Sequence, residues 1–163
     1  MKKTITFVFI GFVSIFSFGQ NKILFDNSKG EVAGNADWII DADTYNLGIS
    51  STGEYLGGFE SNAQRYPTPA QSGITSSTTE DYWTGAISYW AVDCAKKGYT
   101  VETLPWNGQI TYGVSTNTQD LSNYKAFIVT EPNLVFTASE KAAIIHFVQN
   151  GGGLFMIADH DVS

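Results

Sequence analysis

The sequence predicts one α/β domain built on a parallel sheet. Three observations lead there. Four short apolar runs recur along the chain, at Lys22–Phe25, Tyr99–Leu104, Ala126–Val129 and Leu154–Ala158. Two amphipathic helical patterns separate the later runs. Near-continuous apolar runs are what strands show when helices cover both faces of a sheet, and right-handed crossovers then make the strands parallel. The length of 163 residues suits one domain.

The first twenty residues read as an address. Lys2 and Lys3 precede an apolar stretch from Ile5 to Phe18, and Ser17-Phe18-Gly19-Gln20 offers small residues for cleavage. This is the pattern of a secretory signal peptide, and the stretch is too short and interrupted for a membrane span. The expected organisation is a signal peptide over 1–20 and a single α/β domain over 21–163, in a bacterial protein that is periplasmic or secreted. Loss of Lys2 and Lys3 takes the net charge from −7 to −9.

Lys22-Ile23-Leu24-Phe25 is a buried-strand run ending at Asp26. Asn27 to Gly34 is a polar loop carrying glycine. Asp37 to Asp41 fits either a helical turn or a short strand. Thr44 to Glu80 is a 37-residue stretch with 21 Gly, Ser, Thr, Asn or Pro residues, read as a loop insertion over one end of the domain. Its tyrosines (Tyr45, Tyr55, Tyr66) and Phe59 suggest that it packs. Asp81 to Lys97 has helical spacing, with Trp83, Ile87, Trp90, Ala91 and Cys94 on one face. Ser77 with Glu80, or Thr78 with Asp81, would supply its capping box, and Gly98 its C′ residue. Gln109 to Tyr112 is a candidate extra strand after the Asn107-Gly108 turn signal. Asp120 to Tyr124 is a connector. Thr137 and Glu140 form a capping box for a helix reaching Gln149, with Ala143, Ile144, Phe147 and Val148 inward. Gly151-Gly152-Gly153 ends that helix.

Composition excludes whole function classes. Apolar residues are 43% and charged residues 15%, which excludes a disordered chain. The balance of 9 Lys+Arg against 16 Asp+Glu gives −7, a surface that repels phosphate backbones, so no nucleic-acid partner is expected. A single cysteine, Cys94, excludes an internal disulfide and any multi-cysteine zinc site.

The segment Phe147-Val148-Gln149-Asn150-Gly151-Gly152-Gly153-Leu154-Phe155-Met156-Ile157 resembles the helix, triple-glycine, strand segment of the class I glutamine amidotransferase-like superfamily, nearest to its trehalose-utilisation-type branch and related exported bacterial domains. Asp120 to Val129 and Lys22 to Asp26 are similar to the same group. The resemblance covers about two-thirds of the mature chain and leaves out Thr44 to Glu80. It implies a flavodoxin-like three-layer α/β sandwich with strand order 2-1-3-4. One departure bears on activity. The superfamily's amidotransferases carry a nucleophilic cysteine on the turn after the fourth strand, and here that turn reads Ala158-Asp159-His160-Asp161. Cys94 sits instead on the inner face of a helix pattern, so glutamine hydrolysis is not expected. Family members continue with further strands and a helix beyond the point matching Ser163, which implies a fragment or a minimal version.

In open parallel sheets the ligand site lies outside the carboxyl ends of the strands. Asp26, Glu131 and Asp159 each follow a predicted strand, so three carboxylates distant in sequence should share one rim. Asp159-His160-Asp161 is the densest cluster. Two carboxylates and an imidazole suit a divalent metal (Ca²⁺, Mg²⁺, Mn²⁺ or Zn²⁺), with Asp26, Asp159 and Asp161 as ligands. The alternative is a cap at Asp159 and a structural hydrogen bond at His160. As a catalytic set, Asp159, His160 and Glu131 would supply acid–base chemistry, His160 shuttling a proton. Pro132 is expected to hold Glu131 extended. Asn27, Asn133 and the loop residue Trp106 are candidate ligand contacts, while Trp83 and Trp90 read as core and His146 as surface.

Two readings stay open. One is an exported hydrolase-like domain, metal-assisted or not, acting on a carbohydrate or small polar substrate. The other is a non-catalytic module that binds a glycan or a protein within a larger exported protein.

Overall fold

The computed structural model describes residues 21–33, 36–37, 40, 71–83 and 87–158. The signal-peptide pattern, most of the 44–80 insertion and the Asp159-His160-Asp161 cluster lie outside the described residues. Strands β1 (Lys22–Asp26), β4 (Thr100–Leu104), β5 (Ala126–Thr130) and β6 (Gly153–Ile157) form one sheet in the order β4-β1-β5-β6. Every pairing is parallel. Counting these four strands along the chain, the order is 2-1-3-4. This is a flavodoxin-like α/β arrangement. Two-residue strands β2 (Val32–Ala33) and β3 (Ala36–Asp37) pair antiparallel beside it, which resolves the start of the Asp37 to Asp41 stretch as strand.

Alternation along the strands divides the core between two helices. Leu24, Phe127 and Val129 pack with Ala143, Ile144 and Phe147 of α2 (Ala138–Gln149). Ile23, Phe25, Val101 and Ile128 pack on the opposite face with Ala91, Val92 and Cys94 of α1 (Ser88–Lys96). The result is three layers. Helix α2 starts where its sequence places it: Thr137 accepts from the Glu140 backbone N–H at 3.2 Å, and Glu140 accepts from the Thr137 N–H at 2.7 Å. Gly98 and Gly151 adopt φ of 85° and 89°, the left-handed turn that ends each helix without a Cβ clash. The Cys94 thiol is buried within the core, and burial pushes its pKa up.

Four expectations need correction. The first helix begins at Ser88, and Glu80–Tyr82 forms a separate 3₁₀ turn with no side-chain cap at Thr79. The Thr78 hydroxyl is occupied by the Thr75 N–H at 2.8 Å, so the proposed capping box does not form. Gln109 to Tyr112 is not a strand; its backbone serves a hydrogen-bonded loop, in which the Thr111 carbonyl accepts from the Leu121 N–H. Helix α2 leaves Val148 exposed, and Trp90 of α1 lies at the helix flank, edge-on to Phe25 and Phe155.

The fourth correction concerns β6. Its apolar run suggests a strand covered on both sides, yet Leu154, Phe155, Met156 and Ile157 are 38–44% exposed. Among the described residues β6 pairs only with β5, and the two helices centre on the other strands. The opposite edge differs. The Gln71 carboxamide accepts from the Val101 N–H and donates to the Val101 carbonyl, both at 3.0 Å. It occupies the outer backbone groups of β4 there, as a neighbouring strand would.

Candidate functional site at the carboxyl rim

Parallel pairing sets the rim. Asp26 lies opposite Leu104, and Thr130 lies opposite Ile157. Asp26 and Glu131 therefore emerge at the same end of the sheet, as the sequence predicts. Asp159 follows Ile157 by two residues and lies outside the described residues, with His160 and Asp161. Strand β1 sits between strands reached by crossovers in opposite directions, so the loop after it occupies the switch point where open sheets bind ligands.

That loop, Asn27 to Glu31, is tightly built. The Asn27 N–H donates to the Leu104 carbonyl at 2.9 Å, and the Ser28 N–H donates to Asp26 Oδ1 at 2.8 Å. The Lys29 N–H donates to Glu31 Oε2 at 3.1 Å. The Lys29 ammonium reaches α2, where it meets Glu140 Oε1 at 2.6 Å and lies 5.4 Å from the centre of the Phe136 ring. Gly30 has φ 62°, a conformation that favours glycine.

The loop folds Glu31 back onto Asp26. Glu31 is 0% exposed and Asp26 3%. Asp26 Oδ2 and Glu31 Oε1 have no hydrogen-bond partner. Burial pushes the Glu31 carboxyl well above the usual carboxylate range, and the negative charge of Asp26 pushes it further. Burial raises Asp26 too, opposed by hydrogen bonding from Ser28 and the charge of Lys29. Two carboxylates closed off together cannot both ionise cheaply, and a single shared proton relieves them. Glu31 is the member of the pair on which burial and the neighbouring charge most favour that proton. Sequence reasoning treated Glu31 as an ordinary loop residue. The usable signal was a short loop with carboxylates at both ends, directly after a buried strand.

At the next strand, Glu131 has φ 49°, among the described residues the only non-glycine residue in the left-handed region. Pro132 had suggested an extended Glu131. The difference arises because the Glu131 N–H is held by the Ile157 carbonyl at 2.9 Å while the chain turns at once toward the β1 loop. There the Asn133 and Leu134 N–H groups both donate to the Lys29 carbonyl, at 2.8 and 2.9 Å. The Asn133 carboxamide donates to the Gly30 carbonyl at 2.6 Å and to that of Glu131 at 3.2 Å. Asn133, a candidate ligand contact, thus clamps the two rim loops together. A left-handed non-glycine costs about 1 kcal/mol or more, and such strain clusters at functional sites.

Of the remaining candidates, Asn27 is buried and Trp106 is 40% exposed, just past the end of β4. Trp83 is buried in the core, and His146 is on the surface. Among the described residues no three His, Cys, Asp or Glu side chains come together as a metal cage.

A second feature lies on the α2 side. The loop from Gly108 to Val114 faces the first turns of α2 across a groove of about 550 Å³. Asp120 fixes the loop. It is 1% exposed and accepts five hydrogen bonds, from the Thr111 hydroxyl, the Gly113 and Val114 N–H groups, and the N–H and hydroxyl of Ser122. Burial alone would raise its pKa, but these donors outweigh burial and bring it down to about 2.

No family model, curated protein or solved structure matches this chain.

Proposed function

We propose that this chain is a hydrolase-like α/β domain whose acid–base site is the carboxyl rim of the sheet, acting on a carbohydrate or another small polar substrate. One observation carries the reading: a buried carboxyl pair, Asp26 and Glu31, each with an unmatched oxygen, sits at the switch point beside Glu131 in a strained conformation. In this reading Glu131 meets the substrate as acid or base. The Asp26–Glu31 pair holds the site's proton in reserve behind the loop. The sequence adds Asp159 and His160 just past β6, with His160 as proton shuttle. The resemblance to the glutamine amidotransferase-like superfamily supports the placement at the strand ends and, lacking the cysteine nucleophile, argues for other chemistry. Export through residues 1–20 belongs to the same proposal.

The test is turnover of a panel of chromogenic glycosides and esters by the full chain. Glu131→Gln should reduce the rate at least 100-fold, within the range of general acid–base catalysis. Unchanged turnover in that variant would overturn the assignment. A metal-assisted version predicts that EDTA lowers the melting temperature and that Asp159→Ala abolishes the difference.

The closure of Asp26 and Glu31 from solvent favours a second reading, a binding module in which the pair serves the fold. Absence of turnover on the whole panel would select it.

A further inference from the structure

The groove between the 108–114 loop and α2 plays no part in the rim chemistry, and its lining has a definite chemical character. Ile110 and Ala143 give it a buried apolar floor. Tyr112 forms a wall. Its ring lies parallel to that of His146, with planes 12° apart and centroids at 6.4 Å, and is braced from behind by Phe147 at 6.5 Å. Gln109 places an exposed carboxamide at the mouth. The wall is rigid because Asp120 fixes Thr111, Gly113 and Val114, while Asn117 donates to the Gln109 carbonyl at 3.0 Å and to the Thr111 hydroxyl at 2.8 Å.

Electrostatics narrow the ligand. The only carboxylate in the lining, Glu140, is already neutralised by Lys29. The N-terminus of α2, which would otherwise attract an anion, is closed by the Thr137–Glu140 capping box. The groove offers neither an unmatched charge nor a free helix end. It does offer an aromatic face, an amide and an imidazole around an apolar floor, in a volume typical of small-ligand sites. A ring with one apolar face and a girdle of hydroxyls meets all of these.

We propose that this groove binds the pyranose ring of a neutral glycan. The sugar's apolar face packs on Tyr112, and its hydroxyls exchange hydrogen bonds with the Gln109 carboxamide and the His146 imidazole. The site works without turnover at the rim, so binding and hydrolysis succeed or fail separately.

Titration of the full chain with glucose, galactose, mannose, N-acetylglucosamine, maltose and cellobiose, followed by calorimetry and by amide chemical shifts, tests this. At least one sugar should bind and shift the amides of residues 108–114 and 137–146. Tyr112→Ala should weaken binding about tenfold or more, Tyr112→Phe should preserve it, and Gln109→Ala should weaken it severalfold. Gln109 is exposed, so its variant keeps the test valid even where Tyr112→Ala unfolds. The amides of residues 27–31 and 131–133 should stay unshifted by that sugar, separating this site from the rim. Failure of every sugar to bind, or binding indifferent to Gln109→Ala and Tyr112→Ala alike, would overturn the proposal.

Discussion

Asp120 and Glu31 are both closed off from water, yet their surroundings treat charge in opposite ways. Asp120 is met by five donors, and its pKa falls to about 2. Glu31 accepts the Lys29 N–H and faces a second carboxylate, and burial with that charge pushes its pKa well up. The number of donors aimed at each carboxylate decides the outcome, because burial penalises the anion at both sites. A satisfied carboxylate of the first kind organises a loop. An unsatisfied one of the second kind costs stability, and groups so shifted cluster at functional sites.

The contrast breaks most visibly at Asp120. Asp120→Ala strands donors in the 111–122 loop and should destabilise the fold by about 3–4 kcal/mol, read by urea unfolding. Asp120→Asn, which keeps some acceptor capacity, should cost less. The same carboxylate predicts acid sensitivity. Its folded pKa is depressed, so its contribution of about 2 kcal/mol is complete above pH 4 and is lost as pH falls toward 2. Asp120→Asn should flatten that part of the stability curve.

Glu31 should respond with the opposite sign. Its folded pKa is raised, so its contribution is complete below the ordinary value of 4.5 and declines as pH rises above it. Glu31→Gln carries no charge and can donate to Asp26 Oδ2. Relative to the unsubstituted chain it should gain stability as pH rises from 4 to 7, measured by paired denaturant titrations. Destabilisation at pH 7 would show that the Glu31 proton is not a burden on the fold.

The smallest effect concerns Glu131. Glu131→Gly relieves the left-handed backbone and should raise stability by about 0.5–1 kcal/mol. A rise in stability shows that the left-handed backbone at Glu131 is strained. A fall in stability would mean that its side chain supports the fold.

Much of this architecture was legible in the sequence. The four apolar runs gave the strands, and the Thr137–Glu140 pair gave the start of α2 to the residue, because these signals are local. The shared rim followed from parallel order alone, which places Asp26 and Glu131 together. What escaped was long-range. Asp120 looked like a connector because its donors come from residues up to nine positions upstream. Glu31 looked like a loop carboxylate because the loop that brings it onto Asp26 is held in shape by the distant Asn133 and Leu134. The helix expected from Asp81 begins at Ser88; Trp83, just past the 3₁₀ turn, and Ile87, just before α1, still pack on the same core. The exposure of β6 escaped because apolar content reports what a strand could bury, not what covers it.

The unequal flanks of the sheet give the molecule a direction. On the Gln71 side a side chain already occupies Val101, and a foreign strand would have to displace it. On the far side, four consecutive bulky apolar residues line a backbone that carries no lysine, proline or bulge to discourage an incoming chain. Among the described residues β6 is thus the flank open to an incoming strand, and Phe155→Lys is the economical way to discourage one.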